Sequence, residues 1–173
     1  MLPAFNGIGD EARNVSRKAL SAPVTEYDDH ADIVEAAEQA GVSHYFLLDG
    51  IRQGMLNLFA VATYHAFEQQ VMRFHRKELL VPNEENNPDF FNLTEIQKRL
   101  KNYKIDITTF SSWPRVDELR LVANTVKHAD GKSAKELHSL RPNLFEHPLS
   151  QKYNVPAATL APQVFQPLVG EDL

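Results

Sequence analysis

The sequence predicts an all-α protein, a helical bundle of about five helices with an extended C-terminal tail. Three observations predict this class. Apolar residues recur at helical spacing through much of the chain, Gly and Pro separate the periodic stretches, and neither a hairpin signal nor a strand–helix–strand pattern occurs. Hydrophobic residues make up 43% of the 173 residues, which is enough for the core of one domain.

The N-terminal part is divided by its turn-forming residues. Residues 1–27 contain Gly, Pro and Ser without a clear period, and we interpret them as an irregular N-terminal arm. Asp28 or Asp29 can cap a first helix that runs through Glu38, and Gly41 is expected to end it.

A second helix is predicted from Ser43 to about Leu80. Its apolar residues follow helical spacing, namely Ile51, Met55, Leu58 and Ala62, then Phe67, Val71 and Phe74. We expect a break or bend at Gly50 or Gly54 because the helix is long for a globular protein. Asp49 and Arg52 interrupt the most apolar stretch, which therefore indicates a buried helix and not a membrane span.

The segment Val81-Pro82-Asn83 should end this helix. Asn92 then caps a short third helix, predicted from Leu93 to about Tyr103. The β-favouring residues 105–110 are too few to imply a sheet, so we expect a connector there.

The fourth helix is capped by Ser111 or Ser112 and carries Pro114 in its first turn. Residues 129–131 end it, and a fifth helix follows over 132–140. Arg141 and Pro142 close the fifth helix, and the chain after Asn143 is expected to be extended, because it has further prolines and no sustained period. The predicted organisation is therefore an arm over 1–27, a helical domain over 28–146 and a tail over 147–173.

Charge and cysteine content limit the classes of function. The net charge is −5 and there is no cysteine, which excludes disulfides and thiolate chemistry. The N-terminal residues have no apolar core of signal-peptide length, so we expect a cytoplasmic protein without a membrane span. Residues 98–141 hold ten Lys or Arg against five Asp or Glu, and such a region can attract phosphate.

The fourth helix concentrates polar side chains on one face. Successive helical residues turn by about 100°, which places five of them within about 100° of arc. These residues are Asp117, Arg120, Asn124, Lys127 and His128. Leu119, Val122, Ala123 and Val126 lie on the opposite side and are predicted core residues.

This polar face has the parts for phosphodiester cleavage without a metal. The guanidinium fork of Arg120 matches a phosphate, and His128 belongs to the residue type that most readily transfers a proton at neutral pH. Asn124 can position either group, and Lys127 adds a positive charge. A plain solvated helix face is the alternative, because Lys and His near a helix C-terminus also favour the helix dipole.

Two segments resemble the conserved regions of HEPN-domain proteins. They are WPRVDELRLVANTVKHADGKSAKELHSLRPNLF, which contains the fourth helix, and LFAVATYHAFEQQVMRF in the second. The resemblance covers residues 43–146 and implies an all-α domain that forms a homodimer. Many members are metal-independent ribonucleases of toxin–antitoxin, abortive-infection or anti-phage defence systems.

The resemblance also implies roles for individual residues. In the ribonucleases an Arg and a His, separated by four to six residues and with a polar residue usually next to the Arg, meet their copies across the dimer. Arg120 and His128 match the ends of this motif, Asn124 its polar member, and Glu68 an acidic residue of the earlier helix. The sequence departs from the pattern, because seven residues separate Arg120 from His128 and Asn124 lies mid-span.

The sequence thus leaves two classes of function open. The first is a ribonuclease that acts as a homodimer on RNA, with a possible antitoxin or defence-system partner. The second is a non-catalytic HEPN-like module that dimerises or binds a protein. No phosphate loop is present and His65 and Glu68 lack an HExxH context, so we expect neither cofactor nor metal. Glu68 has a structural alternative, an ion pair with Arg120.

Overall fold

The computed structural model describes residues 3–23, 29–84, 88–129 and 131–145, without the side chains of 89 and 90. Within these ranges every regular element is helical, which confirms the all-α class. There are five α-helices: α1 (Ile8–Leu20), α2 (His30–Phe74), α3 (Leu93–Asn102), α4 (Trp113–His128) and α5 (Lys132–Leu140). The described residues fall into two compact units, one up to Leu56 and the other from Asn57.

Helix α1 lies where we predicted an irregular arm, and that prediction was wrong. Its buried face consists of Ile8 and Ala12, a signal too small to stand out as a period in the sequence. A Cβ at Gly41 of α2 would lie 2.9 Å from the carbonyl oxygen of Ala12 and 2.0 Å from Oγ of Ser16. Gly41 therefore allows α1 and α2 to pack closely.

Helix α2 runs through all three glycines that we expected to end or bend it. Two predicted helices, 28–38 and 43–80, are in fact one helix of 45 residues. An interior glycine costs about 1 kcal/mol, which the packing of a long helix can offset. The helix ends in a five-residue π-helical segment, His75–Leu79, and Leu80 is extended.

Helix α3 agrees with its prediction within one residue. The side-chain oxygen of Asn92 accepts a hydrogen bond from the Glu95 amide at 2.9 Å, as expected for an N-cap. Ile96 and Leu100 are buried. The connector that follows contains a short 3-10 helix, Ile107–Thr109, which is capped by Asp106.

Helices α4 and α5 form the best-packed pair of the second unit. Val122 and Ala123 of α4 and Leu137 of α5 are fully buried. Nη1 of Arg141, just after α5, donates to Oε1 of Glu118 at 2.9 Å. Leu119 and Val126, predicted as core, are only half-buried.

After α5 the chain forms a 3-10 helix, Pro142–Phe145, whose last two residues lie where an extended segment was predicted. The predicted tail, residues 147–173, lies outside the described residues. None of the described helices combines the length and the apolar character needed to cross a bilayer.

Candidate functional site

Arg120 lies at the centre of the predicted polar face and is held by carboxylates. Its Nε donates to Oδ1 of Asp117 at 2.7 Å, and its Nη2 lies 4.0 Å from Oε2 of Glu136 on α5. The hydrogen bond to Asp117 is the main cause that raises the pKa of Arg120. One third of the side chain is exposed to solvent. Arg120 is therefore accessible but already neutralised by neighbours from two helices.

Glu68 and Arg120 both act electrostatically on Tyr64, a residue that the sequence did not reveal. Tyr64 is only 4% exposed. Burial raises its pKa to about 12, and the charge of Glu68, together with a hydrogen bond from the phenol to Glu68, adds to this. The charge of Arg120 acts on Tyr64 in the opposite direction. The predicted ion pair between Glu68 and Arg120 is not formed among the described residues, because Glu68 lies 3.9 Å from His65 and Arg120 bonds to Asp117.

The other predicted residues lie further along α4. Asn124 is half-buried, and Lys127 and His128 are exposed in the last turn. Within the described ranges the side chains of Lys127 and His128 form no hydrogen bond or ion pair. His128 follows Arg120 by eight residues, or about 12 Å along the helix axis.

The residue directly before Asn124 is not an arginine. In the pattern that the resemblance implies, the catalytic Arg stands directly before the polar residue. Here that position is Ala123, which is fully buried. The structure therefore leaves Arg120, one turn earlier, as the only arginine of α4 close to Asn124 on the polar face.

The charge balance around Arg120 is unfavourable for an anion. Asp117, Glu136 and Glu68 bring three carboxylates to the cluster, and Lys132 contributes a second cation at 3.6 Å from Glu136. A phosphate would have to compete with these carboxylates for the guanidinium. In the described part of the chain no group of three His, Asp or Glu side chains is arranged to hold a metal ion.

A second candidate surface lies on α2, where large apolar side chains that were predicted to be buried are exposed. Large apolar side chains of the first unit face solvent: Val42 is 48% exposed, Phe46 52%, Leu47 60%, Ile51 46% and Met55 38%. These five residues, which we call the α2 apolar face, spread over about 220° of arc, and Leu47, Ile51 and Met55 share about 80° of it. The same helix buries Asp49 and Gln53. Oδ1 of Asp49 forms an ion pair with Nη2 of Arg52 at 2.9 Å. Helical spacing alone could not tell which side of α2 is covered.

No protein-family model, curated protein or solved structure matches the chain. What the two candidate surfaces do must therefore be argued from their own residues.

Proposed function

We propose that this chain is a self-associating helical module, in which the α2 apolar face pairs with the same face of a second copy. It corresponds to the non-catalytic alternative that the resemblance leaves open. The observation that carries the proposal is the exposure of five large apolar side chains within 14 residues of one helix. Contiguous apolar surface of this kind marks interaction sites in water-soluble proteins.

The order of large and small residues favours a second copy as the partner. Leu47, Gly50, Ile51 and Gly54 lie within about 100° of arc on α2. If two copies cross in antiparallel orientation between positions 50 and 51, Leu47 of one faces Gly54 of the other. Ile51 then faces Gly50, so that each branched side chain meets a glycine. A parallel pair would oppose Leu47 to Leu47 and leave the glycines facing each other.

The two glycines have no role within the described part of one chain. A Cβ at Gly50 or Gly54 would meet no atom within 4 Å. Each glycine nevertheless costs the helix about 1 kcal/mol relative to alanine. Close approach of a second helix gives a reason for this cost.

The size of the surface is consistent with a dimer whose interface extends beyond it. The exposed fractions of the five side chains correspond to roughly 500 Å² on each copy, of which Leu47, Ile51 and Met55, on the side of the crossing, account for roughly 300 Å². A standard interface buries about 800 Å² per partner.

The test is the mass of the particle in solution. Sedimentation equilibrium between about 1 and 100 µM should give a dimer for the unchanged protein, since interfaces of standard size reach such affinities. The double variant Leu47→Asp/Ile51→Asp should be a folded monomer. Leu140→Asp is the matched control, because Leu140 is 56% exposed on α5 and outside the face. A monomer at all concentrations for the unchanged chain would refute the proposal.

A metal-independent ribonuclease of a defence or toxin system is the second candidate. It is favoured by Arg120, Asn124 and His128 sharing one accessible side of α4. As the resemblance implies, Arg120 and His128 of the two copies would meet on the RNA across the dimer. Attack by the neighbouring 2′-hydroxyl would leave a 2′,3′-cyclic phosphate and a free 5′-hydroxyl.

Cleavage of RNA in EDTA decides between the two. The module predicts no cleavage above background by the purified dimer. The ribonuclease predicts cleavage that Arg120→Ala and His128→Ala each abolish, while Lys135→Ala, an exposed change on α5, leaves it intact. Cyclic phosphate ends in the products of the unchanged protein, absent with both variants, would establish the second candidate.

A further inference from the structure

The second unit contains an apolar cavity of about 450 Å³ that neither candidate function uses. It lies between the C-terminal half of α2, the end of α3, the connector and the start of α4. Aromatic rings form much of its wall: Phe67 and Phe74 from α2, Phe110 from the connector and Trp113 from α4. Phe74 and Phe110 are each about half exposed, so the cavity is open to solvent.

The cavity wall is fixed by the connector between α3 and α4. Oδ1 of Asp106 accepts from the amide of Thr108 at 3.0 Å, and the carbonyl oxygen of Asp106 accepts from the hydroxyl of Thr109 at 2.8 Å. Nζ of Lys101 lies 3.1 Å from the other carboxylate oxygen. These bonds hold Ile105 and Ile107 in the lining. The cavity therefore exists before any ligand enters, as is usual for ligand sites.

The lining selects against charge. Among the described residues it contains only two polar side chains, the amide of Gln70 and the hydroxyl of Ser112, and no charged one. A carboxylate, phosphate or ammonium group would lose its hydration there without a counter-ion. Gln70 and Ser112 are exposed, so they can bond a polar group of the ligand at the mouth of the cavity.

We propose that this cavity binds an uncharged, mainly aromatic or aliphatic small molecule that carries at most one or two hydrogen-bonding groups. Its volume lies within the range of small-molecule sites, about 300 to 1,000 Å³. The aromatic walls favour a planar ring, which Phe67 and Trp113 can contact edge-on or face-on. The proposal does not depend on self-association or on ribonuclease activity.

Two dyes with the same ring system provide the test. N-phenyl-1-naphthylamine is neutral, and 8-anilino-1-naphthalenesulfonate adds one sulfonate. We expect the neutral dye to bind the full chain at one site, and the anionic dye to bind that site at least about tenfold more weakly, since a desolvated charge costs more than 1.4 kcal/mol. Trp113 is the only tryptophan and lines the cavity, so energy transfer from it to the dye detects binding, and substitution of a lining residue locates it.

A cavity-filling variant tests the location. Val116→Phe adds a ring to a lining residue and should weaken binding of the neutral dye about tenfold, which corresponds to about 1.4 kcal/mol. Leu140→Phe makes a similar addition at an exposed position outside the cavity and should leave binding unchanged. Circular dichroism and urea unfolding establish that both variants are folded. No saturable binding of the neutral dye, equal affinity for both dyes, or equal effects of the two variants would overturn the proposal.

Discussion

Helix α4 and the first half of α2 differ in the side chains that they expose to solvent. Helix α4 buries Val122 and Ala123 and keeps Arg120 at the surface, as a helix of a water-soluble protein usually does. The α2 apolar face does the reverse, because Leu47 is exposed whereas Gln53, about 120° away around the helix, is buried. One helix is complete within its own chain, whereas the other presents a surface that a partner would complete.

The largest expected effect is the difference in unfolding free energy between replacing a core leucine and replacing a leucine of the α2 apolar face. Leu121→Ala on α4 removes a side chain that is 4% exposed and should lower the free energy of unfolding by about 3 kcal/mol. Leu47→Ala removes one that is 60% exposed and should change the stability of the dilute monomer by less than about 0.5 kcal/mol. Urea unfolding at about 1 µM measures both.

At high concentration Leu47→Ala should instead weaken the dimer, which sedimentation equilibrium detects. A loss for Leu47→Ala in the dilute monomer as large as that of Leu121→Ala would mean that α2 is covered within its own chain. Such a result would contradict the comparison between the two helices.

The sequence predicted α3, α4 and α5 well, because their boundaries depend on local chemistry. Asn92 caps α3, and Pro114 lies in the first turn of α4. It failed for α1 and α2, because the role of Gly41 depends on a contact with Ala12 that lies 29 positions earlier in the sequence. Likewise, Tyr64 joins the site through burial and through contacts with another helix, neither of which is visible as a motif.

The glycines of α2 give a test in which the sign of the effect decides. In a monomer, Gly54→Ala should stabilise the fold by about 1 kcal/mol, because alanine is the better helix former and a Cβ there meets nothing within 4 Å. In the proposed dimer, the same methyl group would face Leu47 of the second copy and weaken association. Urea unfolding of the dilute protein and sedimentation of the concentrated protein should therefore change in opposite directions.

Gly7→Ala is a suitable control, since a Cβ at Gly7 also meets nothing within 4 Å but lies before α1. It should leave association unchanged. Stabilisation by Gly54→Ala in both assays would show that no helix approaches Gly54 closely.

A change in unfolding free energy similar to that of Gly54→Ala, or slightly smaller, is expected from the strained backbone at the end of α4. Ala129 has φ 52° and ψ −122°, a backbone conformation that favours glycine. Ala129→Gly should relieve this strain and raise the unfolding free energy by up to about 1 kcal/mol, although glycine also gains entropy in the unfolded chain. Ala66→Gly, at an exposed position within α2, should lower it by about 1 kcal/mol. Thermal unfolding of both variants measures the contrast, and destabilisation by Ala129→Gly would contradict the strained geometry.

The smallest expected effect is on the pH dependence of stability, in which the buried His75 is compared with the exposed His65. His75 is 1% exposed, and neither ring nitrogen has a hydrogen-bond partner among the described residues. Burial lowers its pKa from the usual 6.5, and the charge of Arg99 adds to this, while Glu84 acts in the opposite direction. The unfolded chain therefore binds a proton at a higher pH than the folded chain does. The contribution of His75 to stability is complete above about pH 6.5 and declines as the pH falls below it.

His75→Gln removes this titration while keeping a polar side chain, so its stability should decline less than that of the unchanged protein between pH 7.5 and 5. His65→Gln is the matched control, because the His65 side chain is 65% exposed and should leave the slope almost unchanged. Urea unfolding at several pH values gives the slopes, and the difference between the unchanged protein and each variant cancels the carboxylates common to both. Since one group binds at most one proton, the slope that His75→Gln removes cannot exceed about 1.4 kcal/mol per pH unit. Equal slopes for the unchanged protein and His75→Gln would mean that the buried imidazole takes up its proton as readily as an exposed one.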